Sequence, residues 1–334
     1  MAYRMKLHLD PVLFRQAVQF TADQMKIPAI YIEKDYWVTF ALHTIFNNEI
    51  GKEFIFKGGT SLSKCYQMID RFSEDIDLVA LKREGESNNQ LTNKIKKLSS
   101  IVSAVLPEVE ILELTQKKGM NRKTAHTFPQ IFEGHYGQVR DVIVIEATWL
   151  GYFEPFTTKS ICSFIGSMML NNDQQEIAEA NGLLPFELLV LEPTRTVCEK
   201  IMSLVRFSYG ENPIDNLKKK VRHTFDLHQI LQQEEFSKFL DSPEFDQMLL
   251  KVANDDVKSF KNSNEWLIYH PINSLFFFEL HNAWEELKVT YNGDFKKLYY
   301  GVNFPDDAVV LNSLKRIKER ISKITWNIEI ASKK

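Results

Sequence analysis

Disulfide and zinc frameworks are the first things the chain lacks. Its 334 residues carry three cysteines, Cys65, Cys162 and Cys198, an odd number at unrelated spacings. Cys65 falls where a small apolar side chain suits a helix core face, and a reducing compartment is expected. No apolar run approaches the roughly 18 residues of a membrane span. Residues 1–6 lead into a polar Asp10-Pro11 rather than a signal-peptide core, so the expected location is the cytoplasm, away from membranes. One-sided charge is missing as well. With 41 Lys and Arg against 44 Asp and Glu the formal net charge is −3, so nucleic-acid binding would have to come from local patches. No recognised RNA-binding motif is present. What remains, 44% apolar and 25% charged residues, suits a soluble globular protein long enough for two domains.

The most informative stretch is FIFKGGTSLSKCYQMIDRFSEDIDLVAL, residues 54–81. Phe54, Ile55 and Phe56 predict a strand that runs into Lys57-Gly58-Gly59-Thr60-Ser61. Leu62, Cys65 and Ile69 then share one face of a short helix, and Asp75 and Asp77 flank Ile76 on a second strand. Two glycines between strand and helix let a ligand approach the backbone, where the first helical N–H groups lack intrahelical partners. Phosphate suits such a turn. Residues two apart on a strand share a face, so the Asp75 and Asp77 carboxylates lie together while Ile76 and Leu78 face the core. Paired carboxylates repel unless a cation lies between them, and Mg²⁺, which prefers oxygen ligands and nucleotide phosphates, is the expected occupant.

A glycine turn followed by Asp-x-Asp resembles the nucleotidyltransferase superfamily of the polymerase β type. The wording GGTSLSK with RFSEDIDL is closer still to the AbiEii/AbiGii group of bacterial nucleotidyltransferase toxins, to which the MenT toxins belong. Other parts of the chain match that resemblance. EKDYW, residues 33–37, is like a stretch that precedes the glycine turn in AbiEii-type proteins; read from its residues alone, it is a solvated charged turn of an amphipathic helix over 28–47, with Ile32, Tyr36 and Phe40 on the buried face. Glu146, at the end of the apolar run 141–148, matches the superfamily's third carboxylate. Its competitor is Asp141 at the start of that run. Lys200, on a helix over 194–208 that Thr194 is expected to cap, and Asp226, at the end of RHTFDL, match a family lysine and Asp-Leu. Family members often have Arg-Asp at the front of that second segment, where His223 follows Arg222 here.

Elsewhere Asp10 and Pro11 predict the start of a helix running to residue 26. A helix is expected over 91–106 and strands over 108–114 and 125–132, joined by a basic hairpin tip, KKGMNRK, with Lys117, Lys118, Arg122 and Lys123. Residues 153–182 give mixed signals. Phe186 to Leu191 is short and apolar, and Glu192-Pro193 closes it, which places a domain boundary there. The last hundred residues read as helices over 243–256, 274–291 and 306–326. The last of these has a basic face of Lys315, Arg316, Lys318, Arg320 and Lys323, which reads first as a solvated face; taken with LKKKVRH, residues 217–223, the other reading is an RNA footprint.

The expected fold is α/β in the α+β sense: a small mixed-sheet domain over 1–192, then a helical domain over 193–334 that closes the cleft. By resemblance, Asp75, Asp77 and Glu146 would hold two Mg²⁺ ions. Lys57, Gly58, Gly59, Thr60, Ser61 and Arg71 would bind the triphosphate of an NTP, with Lys64 as a further phosphate contact or a solvated helix lysine. Lys200 would neutralise the leaving group and Asp226 would orient Lys200 or the nucleotide. The implied reaction is transfer of a nucleoside monophosphate to a tRNA 3′ end or other RNA, opposed by a separately encoded antitoxin. An antibiotic-type small-molecule nucleotidyltransferase and a non-catalytic interaction protein are the alternatives. Ser73, two residues before Asp75, is expected on the same face, where added phosphate charge would repel a nucleotide.

Overall fold

The computed structural model describes residues 4–134 and 139–330. The chain divides into two compact units, one formed by Met1–Trp149 with Phe156–Leu191 and the other by Leu150–Pro155 with Glu192–Lys334. Among the described residues no helix is long and apolar enough to cross a membrane.

The first unit carries α1 (Pro11–Met25), α2 (Ala29–Phe46), β1 (Phe54–Lys57), α3 (Gly58–Lys64), β2 (Ile76–Ala80), α4 (Asn88–Ser103), β3 (Glu108–Val109), β4 (Gln116–Lys117), β5 (Asn121–His126), β6 (Ile143–Thr148), β7 (Phe156–Ile161), α5 (Phe164–Asn171), α6 (Gln175–Ala180) and β8 (Phe186–Leu191). Asp10 caps α1 as expected, accepting from the Val12 and Leu13 amides at 3.1 and 3.0 Å. The sheet runs β3-β5-β6-β2-β1-β8-β7, with β4 added beside β5. It is mixed: β2 pairs in parallel with β6 and β1 with β8, while β1–β2 and β5–β6 are antiparallel. The basic tip does form a hairpin, but its second strand is Asn121–His126 rather than 125–132, because Arg122 and Lys123 are themselves ladder residues. The ambiguous 153–182 region resolves into β7, α5 and α6. β7 is an edge strand exposed along most of its length, so it lacks the apolar alternation that marks a half-buried strand.

The largest departure from the sequence reading is α2. It is buried all round against α1, α4, α5 and β8, and Glu33, Lys34 and Asp35 are 0%, 0% and 4% exposed, so EKD is no solvated turn. Each charge is matched. Glu33 accepts from the Ile131 and Phe132 amides at 2.7 and 3.0 Å. The Lys34 ammonium sits 3.1 Å from Glu74 and donates to the Arg140 carbonyl at 2.7 Å and to the Val142 carbonyl. Asp35 takes the Lys64 ammonium and the Phe164 amide, the latter at 2.8 Å. Lys64 also donates to the Thr39 hydroxyl at 2.8 Å, so it is neither solvated nor directed to a phosphate. Burial pushes the Glu33 and Glu74 carboxyls up and the Lys34 ammonium down; the attraction between Lys34 and Glu74 opposes the shifts of that pair, and the Ile131 and Phe132 amides oppose that of Glu33.

The second unit is built from α7 (Pro193–Phe207), α8 (Pro213–Lys218), α9 (Val221–Leu231), α10 (Glu234–Leu240), α11 (Pro243–Ser259), α12 (Leu275–Phe278), α13 (Leu280–Asn292) and α14 (Asp307–Ile321), with short 3-10 turns. Glu192, not Thr194, is the residue before α7, and Pro193 takes its first turn, where a missing N–H is harmless. The expected 274–291 helix breaks at Glu279 into α12 and α13. Arg195 ties α7 to α11 through Asp255 at 2.6 Å.

Lys34→Met leaves buried Glu74 with only the more distant Arg140 guanidinium and should cost about 3 kcal/mol. Glu33→Gln keeps an acceptor for only one of the two amides and should cost about 1–3 kcal/mol. Urea unfolding of the two variants checks this; equal, small losses would show that the charge of Lys34 carries no such weight.

Candidate active site

The predicted strand, glycine turn, helix and second strand over 54–81 form with a register readable residue by residue. Lys57 at the end of β1 pairs with Asp77 on β2. Asp77 pairs with Glu146 on β6, and Glu146 with Lys123 on β5. Directly paired residues project to the same face, so four adjacent strands carry one row, Lys123-Glu146-Asp77-Lys57, with two carboxylates inside and a lysine at each end. β2 begins at Ile76, yet the alternation reaches further back. Ser73, Asp75 and Asp77 are half-buried while Phe72, Glu74, Ile76 and Leu78 are buried. Asp141 lies before β6 and is exposed, so of the two candidates only Glu146 joins the row.

Gly58 closes the row from above. Its φ of +84° is one that L side chains rarely adopt, and a Cβ there would overlap the Asp77 carboxylate. At Gly59 a Cβ would stand 2.7 Å from Nη2 of Arg71 and 3.0 Å from Oγ of Ser73. Both glycines therefore bring backbone against the side chains of Asp77, Arg71 and Ser73. The predicted helix stops at Lys64, with Cys65 at its cap, and Ile69 is buried beyond it.

Thr60, Ser61 and Arg71 lie deeper than phosphate ligands need to. Ser61 is fully buried and its hydroxyl donates to the Gly58 carbonyl at 2.9 Å. Thr60 is 1% exposed, with its hydroxyl 2.9 Å from that of Ser73. Arg71, also 1% exposed, donates to the Phe72 carbonyl at 3.1 Å beside Gly59. These side chains fix the shape of the turn from below.

Three residues beside the carboxylates carry no motif. Arg140 places a guanidinium nitrogen 2.8 Å from Oδ1 of Asp75 and 3.5 Å from Glu74. Lys123 stands 3.5 Å from Oε2 of Glu146, and Asn121 donates to Oε1 at 3.0 Å. Lys123 could have been found by extending the hairpin register one strand; Arg140 is too far from Asp75 in sequence for any local pattern to pair them.

The donor set consists of carboxylate oxygens, which suits a hard cation. Among the described residues no three His, Cys, Asp or Glu side chains are gathered closely enough to hold a metal on their own. One or two carboxylates completed by phosphates and water is the usual way Mg²⁺ is held, and the adjacent Asp77 and Glu146 fit it.

Within the helical unit, Lys200 on α7 and Asp226 on α9 form a buried ion pair at 2.7 Å, 5% and 0% exposed. A ring nitrogen of His223 lies 3.5 Å from the Lys200 ammonium, and burial followed by the Lys200 charge pushes that imidazole well below its ordinary range. Several of the basic side chains on α14 and at the hairpin are engaged inside their own units. On α14, Arg316 meets Asp241 at 2.6 Å and Ser237, Arg320 meets Asp246 and the Ser242 carbonyl, and Lys318 meets the Phe278 carbonyl. At the hairpin, Lys117 bridges Glu108 and Glu110, and Arg122 bonds the Ser99 hydroxyl.

Comparison with curated proteins gives no match. The sequence model of a family described as "Nucleotidyl transferase AbiEii toxin, Type IV TA system" matches residues 41–308. That span holds the glycine turn, the three carboxylates, Arg140, Lys200 and Asp226. With most of its length matched, the chain belongs to the AbiEii nucleotidyl transferase toxin family of type IV toxin–antitoxin systems.

Proposed function

We propose that the chain transfers a nucleoside monophosphate from an NTP to an RNA acceptor, the 3′ end of a tRNA, and so acts as the toxin whose effect a separately encoded antitoxin opposes. Family membership supports the nucleotidyltransferase and toxin–antitoxin part. The observation that carries the chemistry is the Lys123-Glu146-Asp77-Lys57 row under Gly58.

Asp75, Asp77 and Glu146 would hold Mg²⁺ ions, which supply charge neutralisation for the triphosphate and a lowered pKa for the attacking hydroxyl. The backbone of the Gly58-Gly59 turn receives the triphosphate, and Thr60, Ser61 and Arg71 keep that turn in shape. Lys57 adds positive charge at the edge of the row. The acceptor oxygen bonds to the α-phosphorus as the bond from that phosphorus to the α–β bridging oxygen breaks; pyrophosphate leaves and the hydroxyl proton passes to solvent. Lys200, oriented by Asp226, offsets charge on the leaving group.

A small-molecule acceptor is the second reading, favoured by the engagement of the basic side chains of α14 and the hairpin within their own units. Label from an NTP should enter acid-precipitable RNA, with acceptor binding that weakens steeply with salt, if the first reading holds. Label found only in small molecules supports the second.

Three substitutions test the site. Asp77→Asn keeps volume and removes a charge, so transfer should fall by about two orders of magnitude or more while the melting temperature holds; undiminished transfer, or full activity in excess chelator, contradicts the mechanism. Gly58→Ala strains a positive-φ position and displaces Asp77, so it should lose transfer with only about 1–2 kcal/mol of stability. An active Gly58→Ala variant would mean the close approach is incidental. Lys200→Ala strands the buried Asp226 carboxylate and should cost about 3–5 kcal/mol, whereas Lys200→Met with Asp226→Leu should regain most of that stability. Transfer should stay low in both; recovery in the double variant would make the pair purely structural.

A further inference from the structure

The carboxylates proposed to take the metal are not bare. Asp75 meets Arg140 and Glu146 meets Lys123 and Asn121. The Arg140 contact is the closer ion pair and is built in an unusual way. Its backbone is held at both ends, the amide donating to Glu74 at 2.9 Å and the carbonyl accepting from buried Lys34 at 2.7 Å. Its side chain is 37% exposed and reaches Oδ1 of Asp75 at 2.8 Å. A fixed backbone with a half-exposed guanidinium can change partner by side-chain rotation alone, with no segment to move.

Two cations cannot share one carboxylate oxygen at contact distance without strong repulsion. A divalent ion that takes Oδ1 of Asp75 must therefore displace the guanidinium. An arriving triphosphate brings several negative oxygens to the same neighbourhood, and a planar guanidinium is well suited to bind them in a forked geometry. The two events compensate each other: the metal takes Asp75 from Arg140, and the nucleotide gives Arg140 a new anion.

We propose that Arg140 is a placeholder cation, keeping Asp75 neutralised in the free protein and passing to the nucleotide phosphates when metal and NTP bind together. The inference rests on the transfer site described above. It makes Arg140 a competitor of the metal alone and a ligand of the metal–nucleotide complex, two effects of opposite sign at one residue. A merely structural arginine would show neither. Its consequence is a free protein that holds divalent metal weakly until nucleotide is present.

The test uses calorimetry on the full chain, first with Mn²⁺ alone and then, in saturating Mn²⁺, with the tightest-binding of the four α,β-methylene NTP analogues, which cannot be cleaved at the α–β bridge. Arg140→Gln should bind Mn²⁺ about two- to fivefold tighter than the parent and the analogue about tenfold weaker. Arg140→Met, a second neutral replacement should the first not fold, is expected to do the same, and Arg140→Lys should return both values toward the parent. Unchanged or weaker Mn²⁺ binding in the neutral variants overturns the inference, as does unchanged analogue binding. Asp77→Asn separates the two levels: if it binds Mn²⁺ as well as the parent does, the metal site itself is misassigned and the transfer reading fails with the inference.

Discussion

A charge buried in an apolar interior is tolerated only where it is paired and hydrogen-bonded, and Lys34 meets that condition by gathering two segments of the first unit around one ammonium. Its partners are Glu74, the carbonyl of Arg140 and the carbonyl of Val142. Glu74 precedes Asp75, Arg140 supplies the cation on Asp75, and Val142 leads into the strand that carries Glu146. Glu33 and Asp35, on either side, secure residues 131–132, the end of the glycine helix through Lys64, and the start of α5. Three consecutive charges on one helix thus anchor the residue before Asp75, the segment that carries Arg140 and leads into the Glu146 strand, and the end of α3. Replacing them with apolar residues could keep the packing but would release those segments from one another.

That hub explains what the sequence showed and what it did not. The glycine turn, the Asp-x-Asp strand and the Glu146 strand were legible because they are local: alternation and turn chemistry act over a few residues, and Gly58, Asp75 and Asp77 lie within one hairpin. The role of EKD was not legible, since charges on a helix normally face water and nothing in their spacing reveals partners at residues 74, 131 and 140. Arg140 was missed for the same reason. The edge strand Phe156–Ile161 escaped because an exposed strand need not alternate, and the basic face of α14 looked free because its acidic partners, Asp241 just after α10 and Asp246 on α11, are distant in sequence.

The charge pattern on the sheet fits a site that must accept both cations and polyanions. Two central carboxylates would repel across β2 and β6; in the free protein Lys57, Lys123 and Arg140 surround them with positive charge. The same basic groups face the place where a triphosphate is proposed to sit against the Gly58-Gly59 turn. Carboxylates, proposed for a metal, and cations, proposed for phosphate, are thus interleaved on one face, while the hydroxyls of Thr60 and Ser61 and the Arg71 guanidinium bond within the turn and the segment after it.

The measurement closest to the central claim is where the phosphorus goes. With the parent protein, Mg²⁺ and total RNA, label from an α-phosphorus-labelled NTP should appear covalently in RNA, while label from the γ-phosphorus of the same NTP should be recovered only as pyrophosphate. Transfer of the γ-label to the acceptor, or hydrolysis to orthophosphate with no α-label in any acceptor, would contradict a nucleotidyl-transfer site.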